Sequence, residues 1–382
     1  MIFFGQFGFR YLELAIIGAL LVSCGLLFLK KRPRGLVWLG AAWMLLVLAH
    51  LLLEQGRWQL VPAYLLLLSF SFWLAIPRER AVRRLGIAVR VGIIVVLVLP
   101  GLALPVVAPL FYVGDPSGPL PVGTAVLYPQ TASRGVRVYY PAAMRTPLVS
   151  PYWSEAEVSD YRLPGYPRIL ASHLALIPTP AYVRAPVAPG TLPLLLILPG
   201  REGLPGDYLH LALDAASAGW FVARLPGEAA PEQIVAAIEQ LTKDELDLAV
   251  AGKIDSTRVV LLIGAHAETP DLGFASITIG DGAAAHAVGP AGGLELALPK
   301  ASVPVAALTY RHRIVEPATL LVGSSDVPPE AVERVMRRFF SLVLGDGSLS
   351  APIFSGAYPS SREILEAAPF ATTHYGADER TR

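Results

Sequence analysis

The residues from Arg258 to Glu268, RVVLLIGAHAE, are where chemistry is most expected and where its central group is missing. An apolar strand, Val259–Ile263, runs into Gly264. A strand that ends in a sharp glycine turn of the form Gly-x-Ser-x-Gly holds a serine hydroxyl exposed for acyl transfer. If Gly264 is the first glycine, His266 fills the serine position; if the register slips by one, Ala265 fills it. Neither side chain is the usual nucleophile. His266 could instead pair with Asp281, since a carboxylate can orient an imidazole. Asp281, His266, His286 and His312 could in principle ligate a metal, but no H-x-x-x-H spacing supports it, and none is expected. No cofactor is expected either. Ser324 and Ser325 stand beside Asp326, where a loop or a helix cap is expected. The glycine-rich stretch Gly280 to Gly293 lacks the Gly-Lys-Ser/Thr of a phosphate loop.

The elements that must position these residues alternate. Thr124–Tyr128 and Val136–Tyr140 read as two short strands around a turn, and Leu192–Leu198 as a fully apolar strand. A helix over Asp207–Ala218 leads to a strand at Trp220–Arg224. Pro231–Leu241 is an amphipathic helix with proline at its start. Strands follow at Arg258–Ile263, Ala275–Ile279, Val305–Tyr310 and Leu320–Val322, then a helix at Glu330–Leu344. Trp153 to Pro189 reads as irregular, with a helical piece near Arg168–Leu176. Alternating elements with strands apolar throughout predict a mostly parallel sheet with helices on both faces.

The chain has 382 residues, 54% of them hydrophobic, and a net charge of +1. That balance gives no reason to expect nucleic acid or an acidic partner. The single cysteine, Cys24, excludes an internal disulfide. The apolar excess lies in residues 1–111, in four runs: Tyr11–Leu29, Leu36–Leu53, Leu60–Ile76 and Val91–Phe111. Each approaches the ~17–25 residues that cross a bilayer as a helix, so four transmembrane helices are expected. Lys30, Lys31, Arg32 and Arg34 follow the first run, and Arg78, Arg80, Arg83, Arg84 and Arg90 follow the third. Basic loops stay cytoplasmic, so an integral multi-pass protein with both termini outside the cytoplasm is predicted. Glu13 and His50 lie near span ends, where interfacial residues reaching water are expected. Residues 112–121 read as a linker, and 122–382 as one extracytoplasmic α/β domain.

Several segments together carry a family resemblance: HLLLEQGRWQLVPAYLL (His50 to Leu66), VRVYYPA (Val136 to Ala142), AYVRAPVAPGTLPLLLILPG (Ala181 to Gly200), AGWFVARLPG (Ala218 to Gly227) and KIDSTRVVLLIG (Lys253 to Gly264). Their order resembles α/β hydrolases, specifically bacterial relatives of platelet-activating factor acetylhydrolase that carry N-terminal membrane helices. The resemblance implies ester or lipid hydrolysis by Ser, His and Asp. It places the oxyanion loop at Gly200, Arg201 and Gly203, with Pro199 where relatives have histidine. It places the catalytic acid at Asp281. The histidine position falls on Leu321, so the base is lost along with the nucleophile. The expected protein is a membrane-anchored relative of ester hydrolases that binds or scaffolds at the cell envelope. The bilayer, a lipid or ester ligand and an envelope protein are its expected partners. An active hydrolase with a relocated site and a structural subunit of a membrane assembly are the alternatives.

Overall fold

The computed structural model describes residues 11–26, 35–75, 92, 94–107, 110, 113–127, 135–160, 168–199, 206, 208–225, 229–242, 253–264, 275–279, 284–289, 292–297, 344 and 371–376. The chain divides into two compact units. One comprises Met1–Tyr112 and Pro151–Pro178, the other Val113–Ser150 and Thr179–Arg382.

The first unit is helical. Helix α1 is Tyr11–Leu26, α2 is Leu36–His50 and α3 is Val61–Ala75. A π-helical turn, Leu51–Gln55, prolongs α2, and a 3₁₀ turn, Trp58–Leu60, leads into α3. Helix α4 is Leu99–Val107, and the short α5 is Glu155–Asp160. Ile16, Leu20, Trp43, Val47, Leu60, Leu67, Phe70 and Leu74 form its buried core. At Gly40 an added Cβ would lie 3.2 Å from the Ser71 Cα, so a small residue lets α2 and α3 approach closely. The buried hydroxyls of Ser23 and Ser71 donate to the carbonyls of Ala19 and Leu67, each at 2.7 Å, and so need no outside partner. Ser154 and Glu157 form a capping box on α5: the Ser154 N–H donates to Glu157 Oε2 at 2.7 Å, and the Glu157 N–H donates to Ser154 Oγ at 3.1 Å.

Two helices among the described residues are long and apolar enough to cross a membrane, not the four expected. They are Leu36–Glu54, with mean hydropathy 2.3, and Trp58–Ala75, with mean hydropathy 1.5. Of the first run, the described residues include the helix Tyr11–Leu26, 16 residues long; the rest of that run lies outside them. Of the fourth run, the described residues include the π-helical turn Ile94–Val98 continuing into α4, with Pro105 inside α4, where it removes a backbone donor; residues 91, 93, 108, 109 and 111 lie outside them.

The second unit is α/β. Its eleven strands, numbered in chain order, make one sheet in the order β11-β10-β9-β8-β7-β5-β6-β2-β1-β4-β3. They are Val122–Leu127, Val136–Pro141, Val149–Pro151, Pro178–Val183, Leu192–Leu198, Phe221–Arg224, Ile254–Ile263, Ala275–Ile279, Ala284–Gly289, Gly292–Ala297 and Ala371–Gly376. The expected mostly parallel sheet is instead mixed. β5 pairs in parallel with β6 and β7, β7 with β8, and β1 with β4. β1–β2, β2–β6, β8–β9, β9–β10 and β10–β11 are antiparallel. Connection length explains the difference. A parallel crossover needs a dozen or more residues, whereas β8 ends at Ile279 and β9 begins at Ala284. The next pair turns more tightly still: Gly289 pairs with Gly292.

Both faces of β5 are buried. Leu194, Leu196 and Leu198 share one face with Val259, Leu261 and Ile263 of β7. Helix α7 (Pro231–Thr242) covers that face with Ile234, Ala237, Ile238 and Leu241, at the i, i+3, i+4, i+7 spacing of one helical stripe. Leu195, Ile197, Val222, Val260 and Leu262 alternate to the other face and are buried as well. Helix α6 (Leu209–Ser217), buried along its whole length, packs on β1, β2 and β6. The expected strands at Val305–Tyr310 and Leu320–Val322 lie outside the described residues, as does Glu330–Leu344 apart from Leu344.

Candidate functional site

The sheet places a reversal of winding at β5. From β5 the chain moves to one side for β6, then crosses to the other side for β7 and on to β8. In open α/β sheets, ligands bind beyond the carboxyl ends of the strands at such a reversal. Here those ends are Leu198–Pro199 of β5 and Ile263–Gly264 of β7. They are joined directly, since the Gly264 N–H donates to the Leu198 carbonyl at 2.8 Å.

Gly264 is held in a space with no room for a side chain. A Cβ there would lie 2.6 Å from the Pro199 carbonyl oxygen and 2.6 Å from the Tyr208 hydroxyl. Tyr208 is buried and has φ 59°, a left-handed conformation uncommon outside glycine. It opens α6 and brings its phenol to the strand ends. Such strained positions cluster at functional sites. Sequence reasoning missed Tyr208, because no motif marks a tyrosine at the start of a helix.

The sequence-derived site residues continue from these strand ends. Gly200, Arg201 and Gly203 follow β5, Ala265 and His266 follow β7, and Asp281 lies two positions beyond β8. All six lie outside the described residues, as do Leu321, His312, Ser324 and Ser325. The structure thus brings together the β5 and β7 strand ends from which the first two segments depart. His286 stands in β9, opposite Thr278 of β8 and Glu295 of β10. Among the described residues, no group of three or more His, Cys, Asp or Glu side chains could hold a metal ion.

The stretch expected as a linker belongs, from Val113 on, to the α/β unit and is seated on α6. The Ser117 N–H donates to Asp214 Oδ1 at 2.7 Å and the Gly118 N–H to Ser217 Oγ at 2.9 Å. The Leu120 N–H donates to the Ser217 carbonyl at 3.1 Å. Tyr140, on β2, is buried and donates its hydroxyl to the Ala185 carbonyl at 2.9 Å. Burial pushes its phenol up to about 12, partly offset by the nearby positive charge of Arg184.

The helical unit holds a second polar cluster. Glu13 and His50, expected to reach water, are instead 9% and 0% exposed. Glu13 pairs with Arg57 at 3.3 Å, and Arg57 also donates to the Pro105 carbonyl at 3.4 Å. Glu54 accepts the backbone N–H groups of Leu12 at 2.9 Å and Glu13 at 3.2 Å. His50 Nε2 lies 3.5 Å from Glu54 Oε2, and His50 Nδ1 lies 3.0 Å from the Tyr64 hydroxyl.

No family model matches the chain, and no curated protein matches it. Among solved structures it is similar to a ferulic acid esterase from Streptomyces cinnamoneus, with a TM-score of 0.38 and 16% sequence identity, over 61% of this chain and 92% of that one.

Proposed function

We propose that this chain is a membrane-anchored protein on α/β-hydrolase architecture that binds a lipid or ester ligand at the cell envelope without cleaving it. The observation that carries the reading is the strand end at Gly264. The turn glycine is there, tightly enclosed, yet neither Ala265 nor His266 supplies a hydroxyl or thiol. Without a nucleophile beside a base, acyl transfer loses its covalent step, while a cleft beyond β5 and β7 still suits a ligand. Descent from platelet-activating factor acetylhydrolase-like enzymes, suggested by the segment order, would account for the cleft and for its missing groups.

Membrane anchoring is favoured by what α2 exposes. Only 22% of the Leu36–Glu54 stretch is buried, and Trp38, Leu45, Leu52 and Leu53 are exposed. An apolar patch of that extent suits contact with lipid better than with water. A multi-pass arrangement with both termini outside needs the first and fourth apolar runs to cross as well as α2 and α3, with the basic loops kept in the cytoplasm.

The test is equilibrium binding of a fluorescent short-chain phospholipid ester to the full chain in nanodiscs, with the bound lipid recovered for mass spectrometry. Saturable binding with intact ester supports the proposal. Recovery of cleaved ester would overturn the non-cleaving role, and absence of binding would overturn the ligand.

A further inference from the structure

We propose that the helical unit contains a proton-binding site centred on His50, and that its charge state controls how firmly the start of α1 is held. The site is separate from the cleft of the α/β unit and does not rest on the reading given there.

Four segments contribute to it. His50 ends α2, Glu54 belongs to the π-helical turn, Tyr64 lies on α3 and Glu13 on the first turn of α1, with Arg57 between the turns. His50 is wholly buried between an oxygen on each side. A neutral imidazole has one donor and one acceptor. Its partners select the form in which the Tyr64 O–H donates to Nδ1 and the Nε2 N–H faces the Glu54 carboxylate. Adding a proton makes Nδ1 a donor, and the Tyr64 hydroxyl can rotate to accept from it. The same heavy-atom positions therefore serve both states.

One added proton on His50 raises the charge of this buried cluster by one, and added charge in a poorly solvated setting is costly. Besides Glu13, α1 carries Tyr11 and Cys24; α3 carries no titratable side chain other than Tyr64, and the π-helical turn Ile94–Val98 and α4 carry none, while the 3₁₀ helix Arg168–Leu176, packed on Trp58–Leu60, brings His173, which is buried.

Glu54 links the proton to the fold. Its carboxylate receives the N–H groups of Leu12 and Glu13 at the opening of α1, where a helix N-terminus favours negative charge. With His50 neutral, Glu54 is freer to serve α1; with His50 charged, the carboxylate is shared with an imidazolium.

The experiment is hydrogen exchange of the Tyr11–Glu13 backbone amides in the full chain in nanodiscs, from about pH 5 to about pH 9, bracketing histidine titration. Rates are corrected for intrinsic pH dependence. In the native chain, protection is expected to change about tenfold across one titration. His50→Gln, which keeps a donor and an acceptor but cannot titrate, is expected to flatten that dependence. Tyr64→Phe removes one partner and is expected to move the midpoint by at least about half a pH unit. A purely structural role would change the level of protection in His50→Gln and leave its pH dependence intact. Flat protection in the native chain, a dependence that survives His50→Gln, or an unmoved midpoint in Tyr64→Phe would each overturn the site.

Discussion

Replacing Gly264 with alanine puts the geometry of the strand-end site to a direct test. The new Cβ would lie 2.6 Å from the Pro199 carbonyl oxygen, 2.9 Å from the Pro199 carbonyl carbon and 2.6 Å from the Tyr208 hydroxyl. The Pro199 backbone cannot simply yield. It follows Leu198, which is paired with Ile263, and the Gly264 N–H itself binds the Leu198 carbonyl. The Tyr208 phenol is buried, so it cannot swing clear into solvent. Forcing an extra carbon into packed structure costs about 1–3 kcal/mol. Taking about 2 kcal/mol, and about 2–4 °C per kcal/mol for a unit of this size, Gly264→Ala should lower the Tm of the α/β unit by about 4–8 °C. Near-ultraviolet circular dichroism of the full chain in detergent would read it. Tyr208→Phe removes one of the two clashing oxygens, so Gly264→Ala with Tyr208→Phe should lose less than the two single changes summed, by about 0.5–1 kcal/mol. A Gly264→Ala chain melting within about 1 °C of the native one would refute the close approach. Strict additivity would remove Tyr208 from it.

Two further outcomes are expected. Because burial holds the Tyr140 phenol up at about 12 against an ordinary value of 10, the folded chain keeps a proton that the unfolded chain releases. Its stability contribution is complete below about pH 10 and is lost toward pH 12, at about 1.4 kcal/mol per pH unit; Tyr140→Phe should shallow that alkaline loss in a denaturant series, and an unchanged slope would count against it. Asp214→Ala removes the acceptor for the Ser117 N–H and should cost about 1–3 kcal/mol, seen as severalfold faster proteolysis within residues 113–121, whereas unchanged cleavage would show that the linker seat does not depend on this carboxylate.

The elements that carry strong patterns were legible in the sequence. The continuous apolar run of β5, the strand into Gly264 and the stripe of α7 all stand close to where pattern and proline placed them. The antiparallel end of the sheet was not, because the alanines and glycines between Gly280 and Gly293 carry no apolar alternation. The usable signal was spacing, since four residues between β8 and β9 are too few for a crossover. The strand at Pro178–Val183 was hidden by its prolines, the first of which takes the opening position of the strand, where proline is tolerated. In the helical unit, single-run hydropathy cannot show that Glu13 and Arg57, 44 positions apart, would find each other and become buried. Of the candidate site, the strand ends and their glycine were readable. Tyr208 was not, because its importance comes from a backbone angle and a contact across the sheet.

The absence of serine chemistry is tested most directly by turnover of short-chain p-nitrophenyl esters by the full chain in nanodiscs, with a fluorophosphonate probe and a His266→Ala variant alongside. The account predicts no turnover above the uncatalysed rate and no labelling. Turnover that disappears in His266→Ala, or covalent labelling of the native chain, would contradict it and establish a rebuilt hydrolase site.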